Sequence, residues 1–268
     1  MTTDLLRQYL TFYRDLGVRH LYVDSGAGTR ACRLDTRVEA VLSERAHPPG
    51  DLEAGSQTEV PARQTPVSTP PPAEPETTSD SFAKIQQDIG DCKRCRLSEG
   101  RTNIVFGVGD PHAKLVFVGE GPGADEDAQG IPFVGRAGQL LTQMIEGTAR
   151  KEGIPLKRED VYICNVVKCR PPGNRTPQPD EMETCGQFLT RQLLVLRPKA
   201  ICALGGTAAK YLLNRPEGVT RLRGHWYKWH EIPLMVTYHP SYLLRPYNQA
   251  AKREAWEDLK KTLHFVYD

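Results

Sequence analysis

The chain has 268 residues, 39 % hydrophobic and 25 % charged, with a formal net charge of +2, an ordinary soluble composition. Its longest apolar runs are about strand length, which excludes a membrane-spanning helix, and Asp4, Arg7 and Arg14 interrupt the apolar core that a secretory leader needs. A cytoplasmic protein is expected, and its uneven charge, −4 over residues 1–80 against +6 over residues 81–268, makes the larger part modestly basic, as suits a polyanionic partner.

Residues 1–45 read as a short extension. Leu5, Leu6, Tyr9, Leu10, Tyr13 and Leu16 share one helical face, and a strand, VRHLYVD, follows. Residues 46–80 hold eight prolines, one basic residue and almost no large apolar group. Such a stretch buries too little surface to offset its ordering entropy and is expected to be a disordered acidic linker. From residue 81 to 268 the pattern changes to that of a folded domain. Strand-like runs at KLVFVGE (114–120), VYICNVV (161–167), KAICALG (199–205) and IPLMVTY (232–238) alternate with helical patterns. Continuous apolar strands alternating with helices predict an α/β fold: a three-layer α/β/α sandwich on a four-stranded, mainly parallel sheet. Ligands of such sheets bind beyond the carboxyl ends of the strands, here Gly119-Glu120, Asn165, Gly205-Gly206 and His239.

Three motifs carry chemistry. The first is cysteine spacing. Seven cysteines without a secretory signal argue against a disulfide framework. DCKRC pairs Cys92 with Cys95, and Cys169 and Cys185 follow at a wide spacing that suits a site stitched from distant segments, either zinc or an iron–sulfur cluster. Cys164 and Cys202 lie in apolar strands and read as core; Cys32 has no visible partner. The second is the loop GEGPGADEDAQGIPFVGRAG, residues 119–138. It joins a strand to a helix as phosphate loops do, yet it lacks the Lys-Ser/Thr of a P-loop and the G-x-G-x-x-G spacing of a dinucleotide site. Its carboxylates Glu120, Asp125, Glu126 and Asp127 would repel a phosphate and favour a cationic or electrophilic centre. The plain alternative is a tight turn with solvated acids. The third is HPSYLLRP, residues 239–246, where a strand-end histidine precedes a short apolar tip and Arg245. Such a tip beside an arginine is either a wedge into stacked bases or the start of core packing.

Taken in order, GEGPGADED…GIPFVG, NVVKCRPPGNRTP and HPSYLLR, with the cysteine frame, closely resemble the family 4 uracil-DNA glycosylases, iron–sulfur members of the uracil glycosylase superfamily. The resemblance covers residues 81–268. It implies excision of flipped-out uracil from single- or double-stranded DNA and a [4Fe–4S] cluster on Cys92, Cys95, Cys169 and Cys185. It further implies uracil binding by Gly121, Phe133, Asn165 and His239, with Phe133 stacking on the base and Asn165 reading its O4 and N3 edge. His239 is implied as a neutral donor to O2; Glu120, then Glu126, with Asn174 as a further candidate, would serve the developing sugar cation and the attacking water. Other branches of the superfamily carry Asp or Asn where this chain has Gly121, so the catalytic role is filled elsewhere. Ser241, Leu243, Leu244 and Arg245 match the DNA-binding loop, with Leu243 or Leu244 as the plug; Arg170, Arg175, Arg221 and Arg223 are candidate phosphate contacts. A monomer is expected, the N-terminal extension offering a tether to a repair or replication protein. A non-catalytic DNA-binding or recruitment module of the same fold is the alternative from another class. The covalent-trapping branch needs a histidine in an inserted basic loop, and only VVK separates Asn165 from Cys169.

Overall fold

The computed structural model describes residues 20–24, 29–33 and 80–268. The chain divides into two units, residues 1–78 and 79–268. In the first, β1 (His20–Asp24) and β2 (Thr29–Arg33) pair antiparallel, with His20 opposite Arg33 and Asp24 opposite Thr29. β1 falls within the expected VRHLYVD strand. The helix expected before it and the linker expected over residues 46–80 lie outside the described residues, apart from Asp80.

The second unit is built on six strands: β3 (Val108–Gly109), β4 (Leu115–Gly119), β5 (Tyr162–Asn165), β6 (Ala200–Leu204), β7 (Trp226–Trp229) and β8 (Ile232–Thr237), in the spatial order β3-β5-β4-β6-β8-β7. The four runs expected from the sequence are the four central strands, and all are parallel. β4 and β6 are buried along their whole length because both faces of the sheet are covered. Antiparallel edges β3 and β7 extend this centre into a mixed sheet. Neither edge announces itself in the sequence: β3 has two residues, and WYKW in β7 is partly exposed. β7 reaches β8 through His230 and Glu231, both at positive φ (44° and 64°), the backbone that a tight, right-twisted hairpin favours.

Eight helices follow: α1 (Phe82–Ile89), α2 (Ala124–Gln129), α3 (Arg136–Lys151), α4 (Pro179–Leu196), α5 (Gly206–Leu213), α6 (Val219–Leu222), α7 (Pro240–Leu243) and α8 (Gln249–Tyr267) among the described residues. One face of the sheet, bearing Val116, Val118, Cys164, Ile201, Ala203, Leu234 and Val236, packs against Ile85 and Ile89 of α1, Phe188 and Leu193 of α4, and Ala208 and Leu212 of α5. The alternate residues Leu115, Phe117 and Met235 point the other way, and α8 packs on β8, β6 and α3 there. Each large side chain so buried contributes about 1.5–3 kcal/mol, an upper bound. Among the described residues no helix is long and apolar enough to cross a membrane.

Register brings the strand ends to one rim. Gly119 lies opposite Asn165, and Leu204 opposite Thr237, two residues before His239. Asp258 of α8, its side chain wholly buried, holds this end of β8 by accepting from Thr237 Oγ1 (2.8 Å) and from Arg223 Nε and Nη2 (2.9 and 2.6 Å). Removing one partner of a buried ion pair strands the other. Asp258→Ala should therefore lower stability by about 3–5 kcal/mol in urea unfolding; a change below about 1 kcal/mol would mean that the pair adds nothing to the fold.

Candidate active site

A pocket of about 450 Å³ opens at the carboxyl ends of the central strands. Of the residues singled out in the sequence, Glu120, Gly121, Glu126, Phe133, Asn165, Asn174, His239, Ser241 and Leu244 line it. The two leucines of the DNA loop part company: Leu243 is 1 % exposed and packs inward, whereas Leu244 is 40 % exposed on the pocket rim. Arg245 is exposed outside the lining, its guanidinium 5.7 Å from the centre of the Tyr242 ring.

The aromatic wall is set by the main chain. Phe133 sits at φ 55°, a region that a bulky residue occupies only when its surroundings impose it. Glu126 imposes it from one side: Oε1 accepts from Val134 N (3.0 Å) and Gly135 N (2.9 Å), while Oε2 accepts from Gly123 N (3.1 Å). Gly138 allows it from the other, since a Cβ there would lie 1.8 Å from the Phe133 carbonyl oxygen. A Cβ on Gly119 would lie 2.4 Å from Asn165 Oδ1 and 2.6 Å from the Phe133 ring. The bare glycine is what lets ring and amide converge.

Asn165 is 1 % exposed, and among the described residues its Oδ1 has no hydrogen-bond partner. Leaving a buried acceptor unpaired costs about 1–3 kcal/mol, so this atom can accept from a donor brought into the pocket. Across the pocket, the Phe133 and His239 rings lie 5.5 Å apart. The Ser241 backbone N–H donates to His239 Nδ1 (3.2 Å), and Ser241 Oγ lies 2.8 Å from the same nitrogen. A nitrogen accepting from a backbone N–H carries no proton, so the neutral ring bears its proton on Nε2. Burial pushes the His239 pKa down to about 4, against the opposing pull of Glu126.

The acidic loop divides its labour. Glu126 caps main chain as above, and Asp127 accepts from the Thr102 and Asn103 amides (2.8 and 3.3 Å). Glu120 and Asp125 remain toward the pocket. Glu120 Oε2 accepts from Thr207 Oγ1 in the first turn of α5, and among the described residues Oε1 has no hydrogen bond. Thr207 carries no sequence signal, because 87 residues separate it from its partner. Asn174 Oδ1 accepts from Arg170 Nε (2.8 Å). Two of the arginines expected at phosphates are committed internally: Arg175 pairs with the buried Glu181, and Arg223 with Asp258. Arg221 and Arg245 are exposed.

Cys92, Cys95, Cys169 and Cys185 line one second, small cavity with Arg94, Arg101 and Lys168. Each of three sulfurs faces a donor: Lys168 N to Cys185 Sγ (3.2 Å), Arg101 Nη1 to Cys169 Sγ (3.5 Å) and Arg94 Nη1 to Cys92 Sγ (3.6 Å). Burial pushes the Cys185 thiol up to about 12 and raises Cys169 as well. N–H donors aimed at sulfur fit thiolates bonded to a metal group, which would take their protons. Among the described residues no three His, Cys, Asp or Glu side chains converge on a single metal ion. Cys164 and Cys202 are core residues, as expected.

The family model of the Uracil DNA glycosylase superfamily matches residues 106–260. A type-4 uracil-DNA glycosylase of Thermotoga maritima is 45 % identical over 192 residues, 71 % of this chain and 97 % of that protein. Proteins of the same description from Sulfurisphaera tokodaii (45 % over 190 residues; 68 % and 83 % of the two chains) and Archaeoglobus fulgidus (43 % over 190 residues; 68 % and 92 %) are similar to it as well.

The His239 arrangement can be checked directly. Between pH 6.5 and about 4 the unfolded chain binds a proton that the folded ring refuses, so this group subtracts stability as pH falls through that window. A nitrogen-15 titration should find the Nε2–H tautomer, neutral at pH 7 and protonating near pH 4; protonation near 6.5 would remove the neutral-donor assignment.

Proposed function

The chain belongs to the type-4 uracil-DNA glycosylases of the uracil-DNA glycosylase superfamily, and on that premise we propose that it hydrolyses the N-glycosidic bond of a uracil flipped out of DNA, leaving an abasic site for base excision repair. The observation that carries the reading is the unpartnered Asn165 Oδ1, buried beside the Phe133 ring. Uracil presents an N3–H donor and an O4 acceptor; a carboxamide answers both, Oδ1 taking N3–H and Nδ2–H giving to O4. Cytosine offers an amino donor and a bare N3 at those places, leaving both ends unmatched at about 1–3 kcal/mol each.

Extrusion costs a few kcal/mol of unpairing and unstacking, least at a mispair or in a single strand. Phe133 supplies a stacking surface in return, and Leu244, exposed at the rim, is the side chain placed to fill the vacated stack. Bond cleavage builds an oxocarbenium-like sugar and a uracil anion. His239 Nε2–H serves as a neutral donor to the O2 on which that negative charge grows. Glu120, oriented by Thr207, is our choice for the carboxylate facing the sugar cation and water. Glu126 acts through Phe133 by holding its loop. Of the acids that would repel a phosphate, Glu120 thus serves a centre that becomes positive, while Glu126 and Asp127 shape the loop.

Cys92, Cys95, Cys169 and Cys185 would hold a [4Fe–4S] cluster, supported by their common cavity and its N–H donors. When bound, the cluster supplies iron–thiolate bonds that staple the segment after α1 to the loop after β5 and to α4; hydrolysis needs no electron from it. As a DNA repair enzyme it would work in the cytoplasm.

The reaction is tested with a labelled oligonucleotide holding one uracil, cut with alkali at abasic sites. Strands with cytosine or thymine instead should stay intact. Asn165→Asp should lose about 10–100-fold at uracil, the value of one or two unmatched hydrogen bonds. A protein that binds uracil-DNA without releasing base would sink the enzymatic reading. Cys169→Ala should lose the visible absorption of the cluster and thermal stability together; a colourless, equally stable and active variant would refute the staple.

A further inference from the structure

Lys168 is wholly buried, yet among the described residues no carboxylate pairs with it. Its Nζ folds back to donate to the carbonyl oxygen of Asn165 (2.9 Å) and to Gln192 Oε1 (2.6 Å). Gln192 of α4 is wholly buried too and spends its Nε2 on Phe106 O (3.0 Å) and Tyr162 OH (3.2 Å). The main chain of Lys168 is as firmly engaged: its N–H donates to Cys185 Sγ (3.2 Å), and its carbonyl accepts from Val105 N (2.8 Å). One residue therefore touches the cysteine cavity with its backbone and the last carbonyl of β5 with its side chain.

That carbonyl belongs to the peptide joining Asn165 to Val166, whose N–H donates to Gly119 O (3.0 Å). The peptide is held at both ends, by Gly119 and by Lys168, and the Asn165 side chain departs from the pivot between this peptide and the strand. Its Oδ1, with no protein partner, is aimed by this main chain and by its close neighbours Gly119 and Phe133. Burying an amine without a counter-charge is costly, and the two acceptors met by Lys168 Nζ, Asn165 O and Gln192 Oε1, are what compensate it here.

We propose that Lys168 is a positioning residue for uracil recognition, fixing the Asn165 main chain and linking the seat of the four-cysteine group to the amide that reads the base. The proposal rests on Asn165 as the reading residue. A misplacement of about 1 Å at such a group costs on the order of 100-fold in rate.

The test compares Lys168→Met with Gln192→Met. Both disturb the same buried network, but only the first removes the bond to Asn165. Three quantities are read in each full-length protein: kcat/KM on uracil-DNA, affinity for DNA carrying a tetrahydrofuran abasic analogue, which presents no base, and visible cluster absorption. Lys168→Met should lose about 10–100-fold in kcat/KM with abasic-site affinity and absorption unchanged, while Gln192→Met keeps kcat/KM within about threefold despite a lowered Tm. Should Lys168→Met not accumulate folded, Lys168→Gln, whose shorter amide cannot make the same reach, is read the same way. Full activity in the Lys168 variant, equal losses in both variants, or a parallel loss of abasic-site affinity or absorption would overturn the proposal. An Asn165→Asp enzyme with undiminished uracil excision would sink the reading of Asn165 itself; an inactive Asn165→Asp beside a fully active Lys168→Met sinks only the positioning role.

Discussion

The site depends on one absence of atoms. Parallel pairing of β4 with β5 sets Gly119 opposite Asn165, and because residue 119 has no side chain, the Asn165 amide and the Phe133 ring occupy the space that a Cβ would take. The rest of the rim is arranged around that contact. Phe133 reaches it only from a left-handed backbone, which in turn needs Glu126 on one flank and Gly138 on the other. Strain of about 1–3 kcal/mol at Phe133 is offset by three charge-assisted hydrogen bonds to Glu126. A flat ring and a planar amide meeting at one place form a slot for a flat, edge-reading ligand.

Charge in the pocket is sorted by what each carboxylate touches. Glu126 and Asp127 face backbone amides and shape the loop. Among the described residues Glu120 keeps one oxygen without a hydrogen bond, on a pocket that also contains a histidine kept neutral by burial, its Nδ1 accepting from the Ser241 amide. In the proposed reaction, a carboxylate for the positive sugar and a neutral donor for the negative base are separate side chains, as such a bond cleavage requires. The same residue types in another order, with a protonated histidine or a fully capped Glu120, would lose that separation.

Much of this was legible in the sequence, for reasons that differ by residue. The four central strands were readable because burial on both faces leaves continuous apolar runs. β3 and β7 were not, being too short or too exposed to carry a period. Asn165 and His239 stood out because strand ends in such sheets are where ligands bind, and the four cysteines because an odd count without a secretory signal disfavours disulfides and their spacing suits a metal site. Glu126 and Glu120 look alike in sequence, and only main-chain hydrogen bonds tell a capping acid from a pocket-facing one. Thr207 and Gln192 work through contacts 87 and 24 residues away, which no local pattern encodes. Lys168 was hidden for a further reason: a lysine in a polar-looking loop reads as surface until its burial is seen.

The neighbouring leucines of the HPSYLLR loop show how a binding edge can change while its foundation does not. Leu243 is seated in the core and anchors α7, whereas Leu244 meets solvent at the rim. Exchanges at an exposed position away from special contacts usually alter stability by no more than about 0.5 kcal/mol, whereas emptying a buried leucine site costs about 2–5 kcal/mol. Substitution at position 244 can therefore change the rim of the pocket while position 243 holds the scaffold constant. Anchor and rim stand side by side in the chain but differ in how much change the fold tolerates at each.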